Sequence, residues 1–288
     1  MSDREAVAKQ GQYFQDSDDH KTFDFTGTPF LQGRVGAGLN RLNWRAKLLL
    51  SQNVDAIAGK RVLDMACADG RFGFAALRLG AAHLTGVEGR AEEVERGQQW
   101  YARCGINPDQ FNLIVGDAVD YLFECEPGKF DTILCFGFFY HTLRQIEILQ
   151  EIARLRPQTL IMDTTVASER WYRRPGRFVR RFRRKHLLPH NALKLWRSIE
   201  GDEVMFFATE EASNPSATII ANLGAKADWM GRKTLGGRFK PTGPMVERLF
   251  TMHGFDYHLI DWHNAGICDW TDLEDYKRGS RLSYVAWL

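Results

Sequence analysis

The stretch LDMACADGRFG, residues 63–73, decides the fold. It joins a short apolar segment, RVLDMA, to a segment with helical spacing, RFGFAALRLGA, through small and polar residues. A tight turn between a strand and a helix presents backbone N–H groups at the carboxyl edge of an open sheet, where α/β folds bind ligands. The turn lacks the spacing GxGxxG, so a dinucleotide pyrophosphate is not favoured as its ligand.

Strand-type and helical segments alternate after this turn. The strand-type segments are HLTGVE, FNLIVG, FDTILCFG and QTLIMDT, and the main helical ones are RAEEVERGQQWYARCG and TLRQIEILQEIARL. This alternation predicts βαβ units around a parallel sheet. A later helix, PMVERLFTMHGF, and two strands, DYHLIDW and RLSYVAWL, complete it. We therefore expect an α/β fold with a seven-stranded, mostly parallel, doubly wound sheet and an insertion after the fifth strand.

The chain divides into four predicted parts. Residues 1–60 form an N-terminal arm, flexible or capping, with a helix over 43–59, and residues 61–165 form the ligand-binding α/β core. Residues 166–240 interrupt the alternation and are too many for an ordinary loop, which predicts a substrate lid. Residues 241–288 complete the sheet.

Composition narrows the class of protein. The chain has 288 residues, 44% of them apolar, and a net charge of +2, so charge alone does not predict nucleic-acid binding. Five cysteines are widely spaced without a CxxC motif, as in the reduced thiols of a cytosolic protein. The polar N-terminus does not resemble a signal peptide, and the longest apolar runs are too short to span a bilayer. We expect a cytoplasmic protein without a membrane span.

Two further acids follow strands. Glu88 ends the second strand, 24 residues after Asp64, where an acid accepts hydrogen bonds from ribose hydroxyls. Asp117 follows the third strand, where a carboxylate can accept the N6 amine of adenine. The fourth strand then runs into CFGFFYHT, an aromatic segment that contains His141.

These features in this order resemble the class I S-adenosylmethionine-dependent methyltransferases, over roughly residues 44–165 and 244–288. The first motif of that family is usually D/E-x-G-x-G-x-G; here Ala66 and Ala68 replace two glycines and Gly70 keeps the third. The resemblance implies S-adenosyl-L-methionine as cofactor. It assigns Asp64, Ala66 and Gly70 to the methionine part, Glu88 to the ribose, Asp117 and Ala118 to the adenine, and the Phe136 backbone to the amino group. Cys67, Gly89 and Trp44 are further candidate cofactor-binding residues.

The segment Gly137-x-x-Tyr140-His141 suggests the acceptor chemistry. Histidine titrates near neutral pH, so His141 is the candidate general base for a hydroxyl acceptor, although it could instead start the following helix. The G-x-x-Y-H pattern, with Trp44 and Lys47, resembles the tRNA wobble-uridine transferases. Those enzymes carry basic residues after Tyr-His, where this chain has Thr142 and Leu143, which favours ordinary S-adenosylmethionine over a carboxylated donor. Sugar O-methyltransferases of polysaccharide biosynthesis are the other similar group.

Acids at later strand ends raise the question of a metal. Asp163 and Asp261 end strands, and Asp269, Asp272, Glu274 and Asp275 follow nearby. They could hold a divalent cation such as Mg²⁺ that binds vicinal hydroxyls, or they could be solvated acids and helix caps. Asp163, Tyr140 and Trp171 are the candidate substrate-binding residues.

The basic run RWYRRPGRFVRRFRRKH, residues 170–186, has three interpretations. It could be a solvated amphipathic helix, a surface for an anionic or sugar substrate, or an RNA-binding surface. A second stretch, GRKTLGGRFKPTG at 231–243, is glycine-rich and predicts either a mobile loop near the acceptor site or a plain surface loop. The favoured activity is O-methylation of a hydroxyl on a sugar or oligosaccharide-like small molecule. The alternatives are tRNA modification through the basic lid and a catalytically inactive cofactor-binding protein; a homodimer is compatible with either.

Overall fold

The structure is a computed structural model that describes residues 14–17, 20–32, 38–142, 144–167, 207–209 and 238–288. The strands are β1 (Phe14–Ser17), β2 (His20–Phe23), β3 (Arg61–Met65), β4 (His83–Glu88), β5 (Phe111–Val115), β6 (Thr132–Phe136), β7 (Thr159–Thr165), β8 (Phe207–Thr209), β9 (Arg238–Lys240), β10 (Asp256–Leu259) and β11 (Arg281–Trp287). The α-helices are α1 (Leu39–Arg45), α2 (Arg71–Arg78), α3 (Ala91–Arg103), α4 (Ala118–Glu124), α5 (Gln145–Leu155), α6 (Gly243–Met252) and α7 (Glu274–Lys277).

Within the described residues, the main sheet has seven strands in the order β10-β11-β7-β6-β3-β4-β5. The strands from β3 to β7 pair in parallel, and β11 runs antiparallel to both of its neighbours. The predicted fold class, a seven-stranded and mostly parallel doubly wound sheet, is confirmed. Strand order reverses at β3, between β4 and β6, which makes the carboxyl ends of β3, β4 and β6 the expected ligand crevice.

Apolar side chains bury both faces of this sheet. All five residues of β6 are buried, and so are four of the five in β3. One apolar cluster lies on the side of α1, α2 and α3, and a second lies on the side of α4, α5 and α6. Near-continuous apolar strands are what a parallel sheet covered by helices on both faces requires. No helix in the described ranges is long and apolar enough to cross a bilayer.

The N-terminal helix differs from the prediction of one helix over 43–59. Helix α1 begins at Leu39, a π-helical turn covers Ala46–Leu50, and a 3-10 helix follows at Ser51–Ala56. Asn53 departs from helical geometry, at φ −116° and ψ 34°, and its side-chain amide donates to the carbonyls of Leu48 and Leu49. A side chain that satisfies these carbonyls competes with the helical ladder, which explains the break.

The described part of the arm caps the core. Phe23, Phe25 and Phe30 are at most 2% exposed. The Phe30 ring meets Phe74 at 4.9 Å and Trp100 at 5.1 Å between centroids. Residues 22–32 therefore form a capping arm, which is the second of the two predicted alternatives. Three buried aromatic rings in so short a segment provide the apolar area that holds it in place.

Most of the predicted lid lies outside the described residues, including the basic run 170–186 and Trp171. Of its described residues, Phe207–Thr209 and Arg238–Lys240 pair antiparallel as β8 and β9. Strand β8 overlaps the end of the strand-like segment EVMFFA. The loop prediction for 231–243 is wrong at residues 238–240, which form β9, because pairing with β8 satisfies their backbone groups.

A buried ion cluster around Asp163 joins distant parts of the chain. The carboxylate is fully buried; its Oδ2 accepts from Arg45 Nη2 at 2.7 Å and from Arg281 Nε at 2.9 Å. Ser283 Oγ donates to Oδ1 at 2.8 Å, and Tyr276 Oη lies 3.1 Å from both oxygens. Burial alone would raise the pKa of Asp163, but the two guanidinium groups outweigh it and hold the pKa well below its usual value.

Replacing Asp163 should destabilise the whole fold. Asp163→Asn leaves the buried Arg45 guanidinium without its counter-charge and Arg281 with only the longer pair to Asp275 at 3.9 Å, which costs about 3–5 kcal/mol in free energy of unfolding. Urea denaturation measures this loss. The matched control is Asp120→Asn, because Asp120 forms a partly exposed pair with Arg144 and its loss should cost about 1 kcal/mol or less. Equal losses in the two variants would contradict the assigned role.

Candidate active site

The turn after β3 adopts left-handed backbone at the three positions where the family motif has glycine. Ala66, Ala68 and Gly70 all have positive φ, at 51°, 52° and 73°. Alanine rarely adopts this left-handed region, so the surrounding structure must hold the turn. The Cys67 N–H donates to the Val87 carbonyl of the neighbouring strand at 3.0 Å, and the Gly70 N–H returns to the Cys67 carbonyl at 2.9 Å. Gly70 then caps α2.

Glu88 lies beside this turn at the end of β4, and Gly89 follows it. The Glu88 side chain is buried, and its Oε2 accepts the Ala68 N–H at 2.9 Å. Arg90 donates to Oε1 through its backbone N–H at 3.1 Å and through Nε at 2.8 Å. A carboxylate offers about four acceptor positions, so these bonds leave capacity for a hydroxyl. The acid predicted for the ribose and the turn predicted for the methionine part are thus directly bonded.

Asp117 follows β5 and caps α4. Its Oδ1 accepts the N–H groups of Val119 at 2.8 Å and Asp120 at 3.0 Å. No donor among the described residues bonds to Oδ2. Ala118 is the first helical residue, so its N–H has no acceptor within the helix. A free carboxylate oxygen beside a free backbone donor suits the N6 and N1 edge of an adenine.

Asp64 lies deep at the end of β3. It is 2% exposed, and Oδ2 accepts the Gly73 N–H at 3.1 Å. Burial raises the pKa of Asp64 to about 7, although the Gly73 hydrogen bond and the charge of Arg45 act in the opposite direction. A cation bound beside this carboxylate would favour its ionised form, so the site suits an ammonium group.

Arg45 is a candidate that the sequence analysis missed. The residue is 8% exposed, and its guanidinium lies 4.5 Å from the Phe72 ring centroid and bonds to Asp163. Its Nε atom is buried and has no hydrogen-bond partner in the described part of the chain. A buried cationic donor without an acceptor suits an anionic ligand such as a carboxylate. Its helical spacing could have indicated Arg45, because Leu42, Arg45 and Leu49 share one buried helical face.

Trp44 was assigned to the cofactor site from the motif that contains it. Its half-buried ring instead faces the exposed Lys47, whose Nζ lies 4.6 Å from the ring centroid in a cation–π contact. A direct role of Trp44 in cofactor binding stays a prediction.

The segment after β6 presents Tyr140 and His141. Phe136 ends the strand, and Gly137 has a positive φ of 74° and donates its N–H to the Asp163 carbonyl at 2.8 Å. A 3-10 turn, Phe139–His141, places the Tyr140 and His141 rings 4.2 Å apart. Helix α5 begins only at Gln145, so the alternative in which His141 starts that helix is wrong.

Three of the acids considered for a metal have other partners. Asp261 accepts the N–H groups of His263 and Asn264, Asp269 accepts that of Thr271, and Asp275 pairs with Arg41. No group of three His, Cys, Asp or Glu side chains in the described ranges could hold a metal ion. The substrate role predicted for Asp163 also disagrees with the structure, because its buried oxygens are already engaged by the ion cluster.

Comparison with known proteins shows what part of this chain is similar to. Residues 62–158 match the methyltransferase domain family. A ubiquinone biosynthesis O-methyltransferase of Actinobacillus pleuropneumoniae serotype 5b (strain L20) is 28% identical over 118 residues, which are 41% of this chain and 50% of that protein. A tRNA U34 carboxymethyltransferase of Geobacter sp. (strain M21) is 28% identical over 166 residues, 54% of this chain and 48% of that protein. The chain spans about half the length of these curated relatives.

Solved structures share the fold at low identity. The N-terminal domain of EvdMO1, solved in the presence of SAH and D-fucose, superposes with a TM-score of 0.53 at 15% identity, covering 99% of this chain and 96% of that one. Geranyl diphosphate methyltransferase in complex with GPP and sinefungin gives 0.51 at 14% identity, covering 87% and 78%. Residues 62–158 are thus similar in sequence to a methyltransferase domain, and the chain shares its fold with these solved structures.

Proposed function

We propose that the chain is an S-adenosylmethionine-dependent methyltransferase that acts on a hydroxyl group. One observation carries the cofactor assignment. Asp64, Glu88 and Asp117 stand at the carboxyl ends of three adjacent parallel strands, next to a turn with left-handed backbone. Carboxylates in this row can receive an ammonium group, ribose hydroxyls and an adenine amine.

Each residue then has a task in binding. Asp64 faces the amino group of the methionine part, and Arg45 offers its unused Nε to the carboxylate. Glu88 accepts from the ribose, and Asp117 with the Ala118 N–H holds the adenine edge. When bound, S-adenosylmethionine supplies an electrophilic methyl group on a sulfonium. The protein must align the acceptor with that methyl group and keep the cofactor's two ends fixed.

His141 is the proposed general base. A hydroxyl acceptor must lose a proton during methyl transfer, and a neutral imidazole in the 3-10 turn after β6 can take it. The O-methyltransferase relatives support this class of reaction. We infer a hydroxylated small molecule as acceptor, with a sugar or oligosaccharide as the first class to test, Tyr140 and Trp171 as candidate contacts, and a cytoplasmic location.

A second candidate is tRNA modification. The tRNA U34 carboxymethyltransferase relatives align over more of this chain than the O-methyltransferase relatives do. The pattern Gly137-x-x-Tyr140-His141 and the basic run 170–186 favour the same candidate. The salt dependence of acceptor binding distinguishes the two candidates. Binding of tRNA should weaken steeply as the salt concentration rises, and binding of a neutral sugar should not.

Calorimetric titration with S-adenosylhomocysteine tests the cofactor site. Glu88→Ala should weaken binding about tenfold or more, because losing a hydrogen bond to a charged group costs roughly 1.5–3 kcal/mol. Glu92→Ala is the matched control, since Glu92 is an exposed acid on α3 and its loss should leave the affinity unchanged. A folded wild-type protein that does not bind the ligand would refute the proposed function.

Two ligands isolate the role of Arg45. Arg45→Lys should weaken binding of S-adenosylhomocysteine about tenfold, because lysine cannot replace the Nε donor, yet leave binding of 5′-methylthioadenosine unchanged, since that ligand lacks the amino-acid end. Arg41→Lys is the control: Arg41 lies on the same helix and pairs with Asp275, so this variant should change the affinity for both ligands by the same factor. Equal weakening of both ligands by Arg45→Lys would remove Arg45 from the site.

The acceptor role of His141 is tested with radiolabelled S-adenosylmethionine and a panel of hydroxylated sugars, phenols and tRNA. His141→Asn should lower kcat by about 100-fold or more, as expected for a lost general base, with unchanged affinity for S-adenosylhomocysteine. An active variant would exclude histidine as the base. Cofactor binding without transfer to any acceptor would instead favour a catalytically inactive cofactor-binding protein.

A further inference from the structure

One hydroxyl oxygen fills the space beside two glycines of the turn. A Cβ atom on Gly70 would lie 2.9 Å from Tyr101 Oη, and one on Gly73 would lie 3.0 Å from the same atom. Tyr101 is fully buried and donates to the Gly70 carbonyl at 2.5 Å. The two glycines that end the stretch LDMACADGRFG thus leave a slot for a tyrosine some thirty residues later.

Helix α3 touches the turn at a second point. Gly97 lies one helical turn before Tyr101 on the same face, and a Cβ there would lie 2.8 Å from the Asp69 carbonyl oxygen. The backbone of α3 therefore approaches the turn closely at Gly97, and the Tyr101 side chain contacts it at Gly70. These two contacts from α3 add to the hydrogen bond that the turn makes with β4 through Cys67.

The Tyr101 hydrogen bond acts on the part of the turn with left-handed backbone. The Gly70 carbonyl also accepts the Phe74 N–H at 2.8 Å, so two donors fix the orientation of one peptide group. That peptide follows the left-handed Gly70 and begins α2. Burial raises the pKa of Tyr101 well above its ordinary value, so the hydroxyl stays protonated and remains a donor.

We propose that Tyr101 is a positioning residue for cofactor binding: its hydroxyl fixes the Gly70 peptide and thereby the turn that receives the methionine part. This inference rests on the proposed function for the identity of the ligand. Tyr101 does not contact the cofactor in this proposal, and it acts only through the turn. Loss of the hydroxyl should therefore change ligand affinity as well as stability.

Tyr101→Phe tests the proposal, since it removes one oxygen and keeps the buried ring. We expect the Kd of S-adenosylhomocysteine to rise about threefold to tenfold, the range for one lost hydrogen bond. We also expect faster amide hydrogen exchange in the ligand-free protein across residues 66–74. Tyr121→Phe is the control, because that hydroxyl bonds to Lys129 at the surface, away from the turn, and neither measurement should change.

The outcomes separate the two proposals. An unchanged Kd and unchanged exchange in Tyr101→Phe, even with a lower Tm, would show that the hydroxyl serves packing alone and would overturn the inference. If wild-type protein does not bind S-adenosylhomocysteine, the proposed function fails, and the exchange measurement alone decides whether Tyr101 fixes the turn.

Discussion

The burial of the Asp163 carboxylate is the constraint on which the rest of the structure depends. Taking this charge out of water is costly, so the fold must bring Arg45 and Arg281 to it with suitable geometry. Arg45 comes from α1, before the sheet begins, and Arg281 starts the final antiparallel strand. A second pair, Arg41 with Asp275, joins the same two regions at 2.7 Å. The N-terminal helix and the C-terminal strand are thus joined at the carboxyl edge of the sheet.

The same cluster supports the candidate site. Arg45 neutralises Asp163 and also acts on the pKa of Asp64, so one guanidinium serves the framework and the ligand crevice. Gly137, which begins the Tyr-His segment, donates its N–H to the Asp163 backbone. Parts of the proposed donor and acceptor sites therefore rest on one buried group, and a disturbance there should affect both.

The row of acids could be predicted from the sequence because each acid is identified by the residues immediately before it. Asp64, Glu88 and Asp117 each follow an apolar strand, and parallel strands end at the same edge, so their proximity follows from topology. The partners of Asp163 could not be predicted this way, since Arg45 and Arg281 are both 118 residues away along the chain. The slot for Tyr101 had no local signal either. Where side-chain contacts join segments far apart in sequence, only the three-dimensional packing identifies them.

The antiparallel strand β11 also determines which residues must stay together for the chain to fold. The family match ends at residue 158, yet β7 begins at Thr159, between β6 and β11, and its Asp163 needs partners at positions 45 and 281. A fragment cut at the limits of the family match would expose the edge of β6 and lose the whole ion cluster. The recognisable domain is therefore shorter than the cooperative folding unit, and any recombination or truncation of this chain has to keep residues 39–165 together with 243–288.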